Sequence, residues 1–219
     1  MAEYKQIYDA LTSQYGEPTW RQHLPPLAEL VNTILSQNTN DTNRDVAFDQ
    51  LMARFGGGNW DAVRDAPVEE VMEAIRPAGL AKQKAPRIQN ALRVLTEQQG
   101  AINLDFLADM PIDDARKWLV DLPGVGPKTA AIVLLFGFGR PAFPVDTHVH
   151  RVTGRLGLIP ATMSAERAHG ELESIVPAEH YYPLHLNLIR HGREVCHARK
   201  PRCQDCRLQE YCDYYQNLE

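Results

Sequence analysis

Leu122-Pro-Gly-Val-Gly-Pro-Lys-Thr-Ala130 is the stretch on which the fold turns. Gly124 and Gly126 permit positive φ and close backbone approach. Pro127 suits the first turn of a helix, where its missing N–H costs nothing. The segment therefore reads as a tight turn between two helices, with free N–H groups and a positive helix end turned outward. Such a turn suits an anion, and a nucleic-acid phosphate fits. That contact would position without reading sequence. A plain helical hairpin is the alternative. A P-loop is excluded, because Pro127 separates Gly126 from Lys128 where that motif needs Gly-Lys-Ser/Thr. By itself Lys128 is an ordinary surface lysine, and it acquires chemistry only beside an acidic partner in a cleft.

The pattern on both sides of the turn is helical. Leu27, Leu30, Val31, Ile34 and Leu35 recur at i, i+3, i+4, i+7 and i+8, and Ile88, Ala91, Leu92 and Leu95 repeat the spacing. Pro26 and Pro111 stand where first-turn prolines are tolerated. Ser164 is placed to cap a helix running towards Val176. Gly56-Gly57-Gly58 and Gly100 read as stops. Ile132–Phe136 has strand propensity but continues a helix start. The expected fold is all-α, with about ten short helices. Neither a low-complexity linker nor a repeat of fixed period divides the chain, so domain limits must come from motifs.

The 219 residues suffice for one large domain or two small ones, and 44% apolar content allows a sizeable core. The longest apolar run, Ala130–Phe138, falls short of the roughly 20 residues a membrane span needs. The opening Met1-Ala-Glu-Tyr-Lys lacks an apolar leader core, so a cytoplasmic protein is expected. A net charge of −5 and a pI of about 5.9 argue weakly against binding nucleic acid. Distribution counts for more: Arg190, Arg193, Arg199, Lys200 and Arg202 lie close together, opposed there only by Glu194. A solvated charged face is the other reading.

All four cysteines fall in one tail, spaced Cys196-x6-Cys203-x2-Cys206-x5-Cys212. Loops of two to six residues let a chain wrap one metal centre, and a reducing cytoplasm disfavours disulfides. Spacing alone does not separate zinc from an iron–sulfur cluster. Ligation at both ends would pin the basic loop His197–Arg202 outward, so that it loses little entropy on meeting a phosphate backbone. Between hairpin and cysteines, Phe143-Pro-Val-Asp-Thr-His-Val-His-Arg-Val152 opens another helix. Asp146 is a natural N-cap. His148 and His150, two apart, point in different directions and make a poor metal pair.

Taken together, Leu122–Ala130, Val145–Val152 and Cys196–Cys212 resemble, in that order, the endonuclease III family of DNA glycosylases, within the helix-hairpin-helix superfamily. Weaker similarity extends from about Leu27 to the end of the chain. The resemblance implies an all-α fold of two lobes. One is a six-helix barrel with the hairpin, over 25–139. The other, from 1–24 and 140–219, carries a four-iron, four-sulfur cluster in the loop 196–212, with Cys196, Cys203, Cys206 and Cys212 as ligands. It implies a monomer acting on double-stranded DNA that contains a damaged base or an abasic site, with the damaged nucleotide flipped out. Lys128 would be the nucleophile, attacking the sugar C1′ as the base leaves. Asp146 would stabilise the positive charge developing on the sugar. The Schiff base formed would then permit β-elimination of the 3′ phosphate.

By the same resemblance Leu122, Gly124, Val125 and Gly126 face DNA from the hairpin. Asn38, with Gln37 beside it, would fill the vacated base position; a helix end is its other reading. Leu80, in Gly79-Leu-Ala-Lys-Gln-Lys-Ala85, would wedge into the base stack, with a core leucine as the alternative. Arg199, Lys200 and Arg202 would meet phosphates. Pro127, where many relatives carry a basic residue, and His150, where an apolar one is expected, bear on fine substrate preference. Oxidised pyrimidines are the expected substrates. Mismatch-specific (G:T or G:U) removal on the same fold, or a non-catalytic iron–sulfur DNA-binding module, are the alternatives.

Overall fold

The computed structural model describes residues 4–218; Met1–Glu3, on which the leader reading partly rests, and Glu219 lie outside them. Among the described residues all regular structure is helical, as the 3.6-residue spacing predicts. The chain forms two compact units, Gln22–Phe138, and Met1–Arg21 together with Gly139–Glu219. The discontinuous unit holds α1 (Tyr4–Tyr15), and the continuous one holds the next seven helices. These are α2 (Pro26–Ser36), α3 (Asp41–Arg54), α4 (Trp60–Asp65), α5 (Val68–Ala74), α6 (Ala81–Gln99), α7 (Ile112–Val120) and α8 (Pro127–Ile132). The discontinuous unit then resumes with α9 (Thr147–Arg155), α10 (Ala165–Ile175), α11 (Tyr181–Glu194) and α12 (Asp213–Gln216).

In the continuous unit α2 is the central element, packed against α3, α6 and α8. Its apolar stripe is buried from Leu27 to Leu35, and Ile34 and Leu35 are fully enclosed. Truncating either to alanine would cost about 2–5 kcal/mol through lost transfer energy and the cavity left behind. Ile88, Leu92 and Leu95 of α6 are equally enclosed. The stops work as read: Gly56, Gly57, Gly58 and Gly100 all take positive φ. Pro26 occupies the first turn of α2, whereas Pro111 stands one position before α7, as its N-cap residue.

Two features of this unit are not visible in the periodicity. Val133–Gly137 continues α8 as a π-helical turn, so the strand-prone segment is helical but widened. Glu29 is buried on α2, with the Thr33 hydroxyl 3.4 Å away. Burial holds its carboxyl above the usual range, partly offset by Thr33 and Arg44.

In the discontinuous unit α11 packs against α1 and α9. Its buried face mixes Leu184 and Leu188 with His185, Asn187 and His191. The polar members are satisfied locally: His185 Nδ1 meets the Pro144 carbonyl at 2.9 Å, and Asn187 donates to the Gly16 carbonyl at 2.9 Å. Ser164 caps α10 by accepting from the Arg167 N–H, as its sequence position predicts.

Candidate active site and cysteine-lined pocket

The hairpin closes on a bond from the Val125 N–H to the Leu122 carbonyl, 3.0 Å. Leu122 and Val125 are its buried feet. Gly124 has φ +85°, and a Cβ there would stand 2.5 Å from Arg87 Cδ and 2.9 Å from Nε. Glycine is thus required twice, for the turn and for the arginine packed across it. Gly126 differs from expectation, since it is extended at φ −101° and needs no left-handed freedom. Nothing would meet a Cβ there within 4 Å, so its face is open. Lys128 follows in the first turn of α8. Its side chain is exposed, and no hydrogen bond or ion pair to another described residue engages it.

Gln37 is tied to the protein. Its amide N–H₂ donates to the Gly124 carbonyl at 3.0 Å, and its Oε1 accepts from Arg87 at 3.4 Å. Asn38 is exposed next to it. Leu80 is 45% exposed at the N-cap of α6, which rules out the core reading. Three non-glycine residues among those described take positive φ: Asn38 (53°), Leu80 (50°) and Lys200 (51°). The family resemblance marks all three as DNA-facing. For Leu80 and Lys200 such a backbone costs roughly 1 kcal/mol or more, whereas asparagine adopts it more readily, and strain of this kind collects at functional sites.

In the discontinuous unit Asp146 caps α9, its Oδ1 accepting from the Val149 N–H at 2.7 Å. The half-buried carboxylate has its second oxygen without a hydrogen-bond donor among the described residues. His150 Nε2 meets the Met163 carbonyl at 2.8 Å, and His148 Nδ1 meets Arg151 at 3.1 Å. The two histidines serve separate packing roles.

The same helix reaches the cysteines through two arginines that sequence reading overlooked. Arg151 donates to the Cys196 carbonyl at 3.0 Å and to the Gly192 carbonyl at 2.9 Å. Arg155 donates to Cys196 Sγ at 3.3 Å, to the His197 carbonyl at 2.7 Å and to the Ala198 carbonyl at 3.1 Å. Their four-residue spacing places both on one face of α9, the one available signal. Arg155 thereby pins the basic loop from inside the protein. In that loop Arg199 and Lys200 are exposed and engage no other described residue, whereas Arg202 is committed to Asp205 at 3.1 Å.

Cys196, Cys203, Cys206 and Cys212 line one pocket with Arg155, His191 and Tyr214. None of the four is in a disulfide. Four cysteine sulfurs lining one small pocket suit the ligand set of an iron–sulfur centre. Several N–H groups already point at sulfur: from Arg155 to Cys196, from Leu208 at 3.4 Å to Cys206, and from the Tyr214 and Tyr215 backbone to Cys212. Burial pushes the Cys206 thiol up to about 11, with the neighbouring cysteines adding to the rise, and burial also raises Cys212. Four thiolates here need a cation to offset their desolvation and mutual repulsion, and an iron–sulfur core supplies it. His191 is held near a pKa of about 4 by burial, so it is neutral beside Cys206.

Residues 31–178 match the family described as HhH-GPD superfamily base excision DNA repair protein. The hairpin and the capped helix thus belong to that class of DNA repair protein. Residues 196–212 match the iron–sulfur binding domain of endonuclease III. The endonuclease III of Thermotoga maritima is 33% identical over 90% of this chain and 87% of its own length. That of Sulfolobus acidocaldarius is 35% identical over 86% and 82%. An endonuclease III trapped as a covalent intermediate with DNA superposes with a TM-score of 0.83 at 30% identity, over 99% of this chain and 98% of that one. The chain belongs to the endonuclease III family, and it carries a four-iron, four-sulfur cluster.

Proposed function

We propose that this chain excises oxidised pyrimidines from double-stranded DNA and then cleaves the abasic strand, with Lys128 as nucleophile and Asp146 as the carboxylate that supports it. The observation that carries the reading is Lys128 itself: an exposed amine without a protein partner, one residue past the hairpin proline. The family adds that a similar endonuclease III has been captured covalently on DNA.

The chemistry balances without an added oxidant or reductant. The neutral Lys128 amine bonds to C1′ as the glycosidic bond breaks, and the base leaves with that electron pair. Loss of the amine proton and ring opening give a Schiff base. Removal of a C2′ proton then expels the 3′ phosphate. Asp146, with one oxygen engaged by the α9 cap and the other available, is the charge that stabilises the cationic sugar. Cys196, Cys203, Cys206 and Cys212 hold the cluster, which orders the loop carrying Arg199 and Lys200. Gly124 and Gly126 let the hairpin backbone approach a phosphate, and Asn38 and Leu80 enter the duplex. Gln37 acts indirectly, as the brace of the hairpin. We place the enzyme in the cytoplasm, at the nucleoid if the cell is bacterial, acting as a monomer. Mismatch removal and a non-catalytic module are not favoured.

Borohydride trapping tests the reading. A covalent adduct should form on duplexes carrying thymine glycol or an abasic site and disappear in Lys128→Ala. An adduct that survives the substitution overturns the assignment of Lys128. Absence of any adduct with the native protein overturns the lyase.

A further inference from the structure

Lys84 is the largest fully enclosed side chain that carries a charge, at 1% exposure. No carboxylate is among its hydrogen-bond partners. Its Nζ donates to the Leu35 carbonyl at 2.7 Å and to the Ala78 carbonyl at 2.9 Å. Both acceptors lie at helix ends, Leu35 in the last turn of α2 and Ala78 at the close of the 3₁₀ turn Arg76–Ala78. Terminal carbonyls lack intrahelical donors and carry the negative end of the helix dipole, so a cation between two of them is favoured. Burial lowers the amine's pKa.

Each of these carbonyls stands just ahead of a residue in the left-handed conformation. Asn38 lies three residues past Leu35, and Leu80 lies two residues past Ala78. These are the only non-glycine residues described in Gln22–Phe138 that take positive φ. One buried ammonium thus holds the roots of the two left-handed, exposed residues that are read as entering the duplex. Lys84 lies in the first turn of α6, and its own N–H bonds to the Leu80 carbonyl at 2.9 Å. Lys84 thus bonds the wedge residue itself through its backbone N–H and the carbonyl two residues before it through its side chain.

We propose that Lys84 is a positioning residue that locks the Leu80 wedge and the Asn38 filler into one register, so that the two enter the duplex as a unit. This rests on the reading of the chain as a DNA base-excision enzyme. The side chain joins two helix ends that lie 49 and 6 residues away along the sequence.

The test compares Lys84→Met, which keeps the stem and removes the donors, with native protein. Binding is measured to a duplex containing a tetrahydrofuran abasic analogue, and β-elimination to a single-stranded abasic oligonucleotide, which has no base stack to wedge. Activities are normalised to the folded fraction by circular dichroism. Expected are a loss of at least about tenfold in duplex affinity, the scale of charge-assisted bonds, and single-strand cleavage within about twofold of native on the same scale. A Leu80→Ala background should abolish most of the Lys84 effect, since coupled residues are non-additive. If Lys84→Met does not fold, Lys84→Gln, which keeps a shorter donor, should show the same split in weaker form. Parallel loss of both readouts, or full additivity with Leu80→Ala, overturns the proposal. Native protein that binds the analogue but never cleaves overturns the lyase reading while leaving the affinity comparison to decide on Lys84.

Discussion

Replacing Asp146 by asparagine and by alanine separates the capping bond that this carboxylate makes from the catalytic duty we propose for it. As N-cap, Asp146 accepts from the Val149 N–H at 2.7 Å. Asparagine caps as well as aspartate, while alanine loses about 1 kcal/mol, within a 0.5–2 kcal/mol range. For a chain of this size each kcal/mol moves Tm by roughly 2–4 °C. Asp146→Asn should therefore melt within about 1 °C of native, and Asp146→Ala about 2–4 °C lower. Chemistry should follow a different order. If the charge stabilises a cationic sugar as we propose, removing it withdraws stabilisation comparable to a lost oxyanion-hole donor, about 2.7–4 kcal/mol, or 10²–10³ in rate. Both variants should lose that much in single-turnover release of thymine glycol at saturating enzyme. Differential scanning calorimetry and quenched single-turnover assays read the two effects separately. The reasoning is refuted if Asp146→Asn keeps native turnover, for then the carboxylate serves only to cap α9.

Further substitutions probe other parts of the structure. Gly124→Ala would force a Cβ to 2.5 Å from Arg87 at a backbone φ of +85°; a loss of about 2 kcal/mol in urea unfolding is expected. Glu29→Gln should stabilise the protein at neutral pH. Burial raises the folded carboxyl pKa above its unfolded value near 4.3, so the folded state binds more protons and native stability falls as pH climbs through that window. The gain over native should thus vanish below about pH 4 in melts run across pH. Arg199→Gln and Lys200→Gln should each lower the salt slope of DNA binding by about 1, whereas Arg202→Gln, already paired with Asp205, should change it less.

Sequence and structure agree where periodic burial decides the outcome. The stripe Leu27–Leu35, the Ser164 cap and the glycine stops are local signals, and each appears as read. The cysteine tail is legible because four rare residues crowd one segment. Less legible is whatever depends on a partner distant along the chain. Lys84 looks like any lysine in a charged helix start until Leu35 and Ala78 surround it. Arg155 looks like a surface cation until its guanidinium meets Cys196 and the two carbonyls after it. Gln37 fits a DNA contact by position, yet its amide is engaged by Gly124 and Arg87. The π-helical turn at Val133–Gly137 also escapes prediction, because apolar runs carry no mark of which hydrogen-bond register they will take.

The three left-handed residues bear on how this protein would respond to engineering. Glycine at Leu80 or Lys200 relieves a steric conflict, so each exchange should raise thermal tolerance by a fraction of about 1 kcal/mol, while Asn38, a residue that tolerates this backbone, should gain little. Those are also the side chains we propose for entering or touching DNA. A library sorted on heat resistance alone would enrich the Leu80 and Lys200 exchanges early and return well-folded repair-deficient clones. A campaign to harden this enzyme needs a lesion-processing selection in every round, with the three positions held fixed.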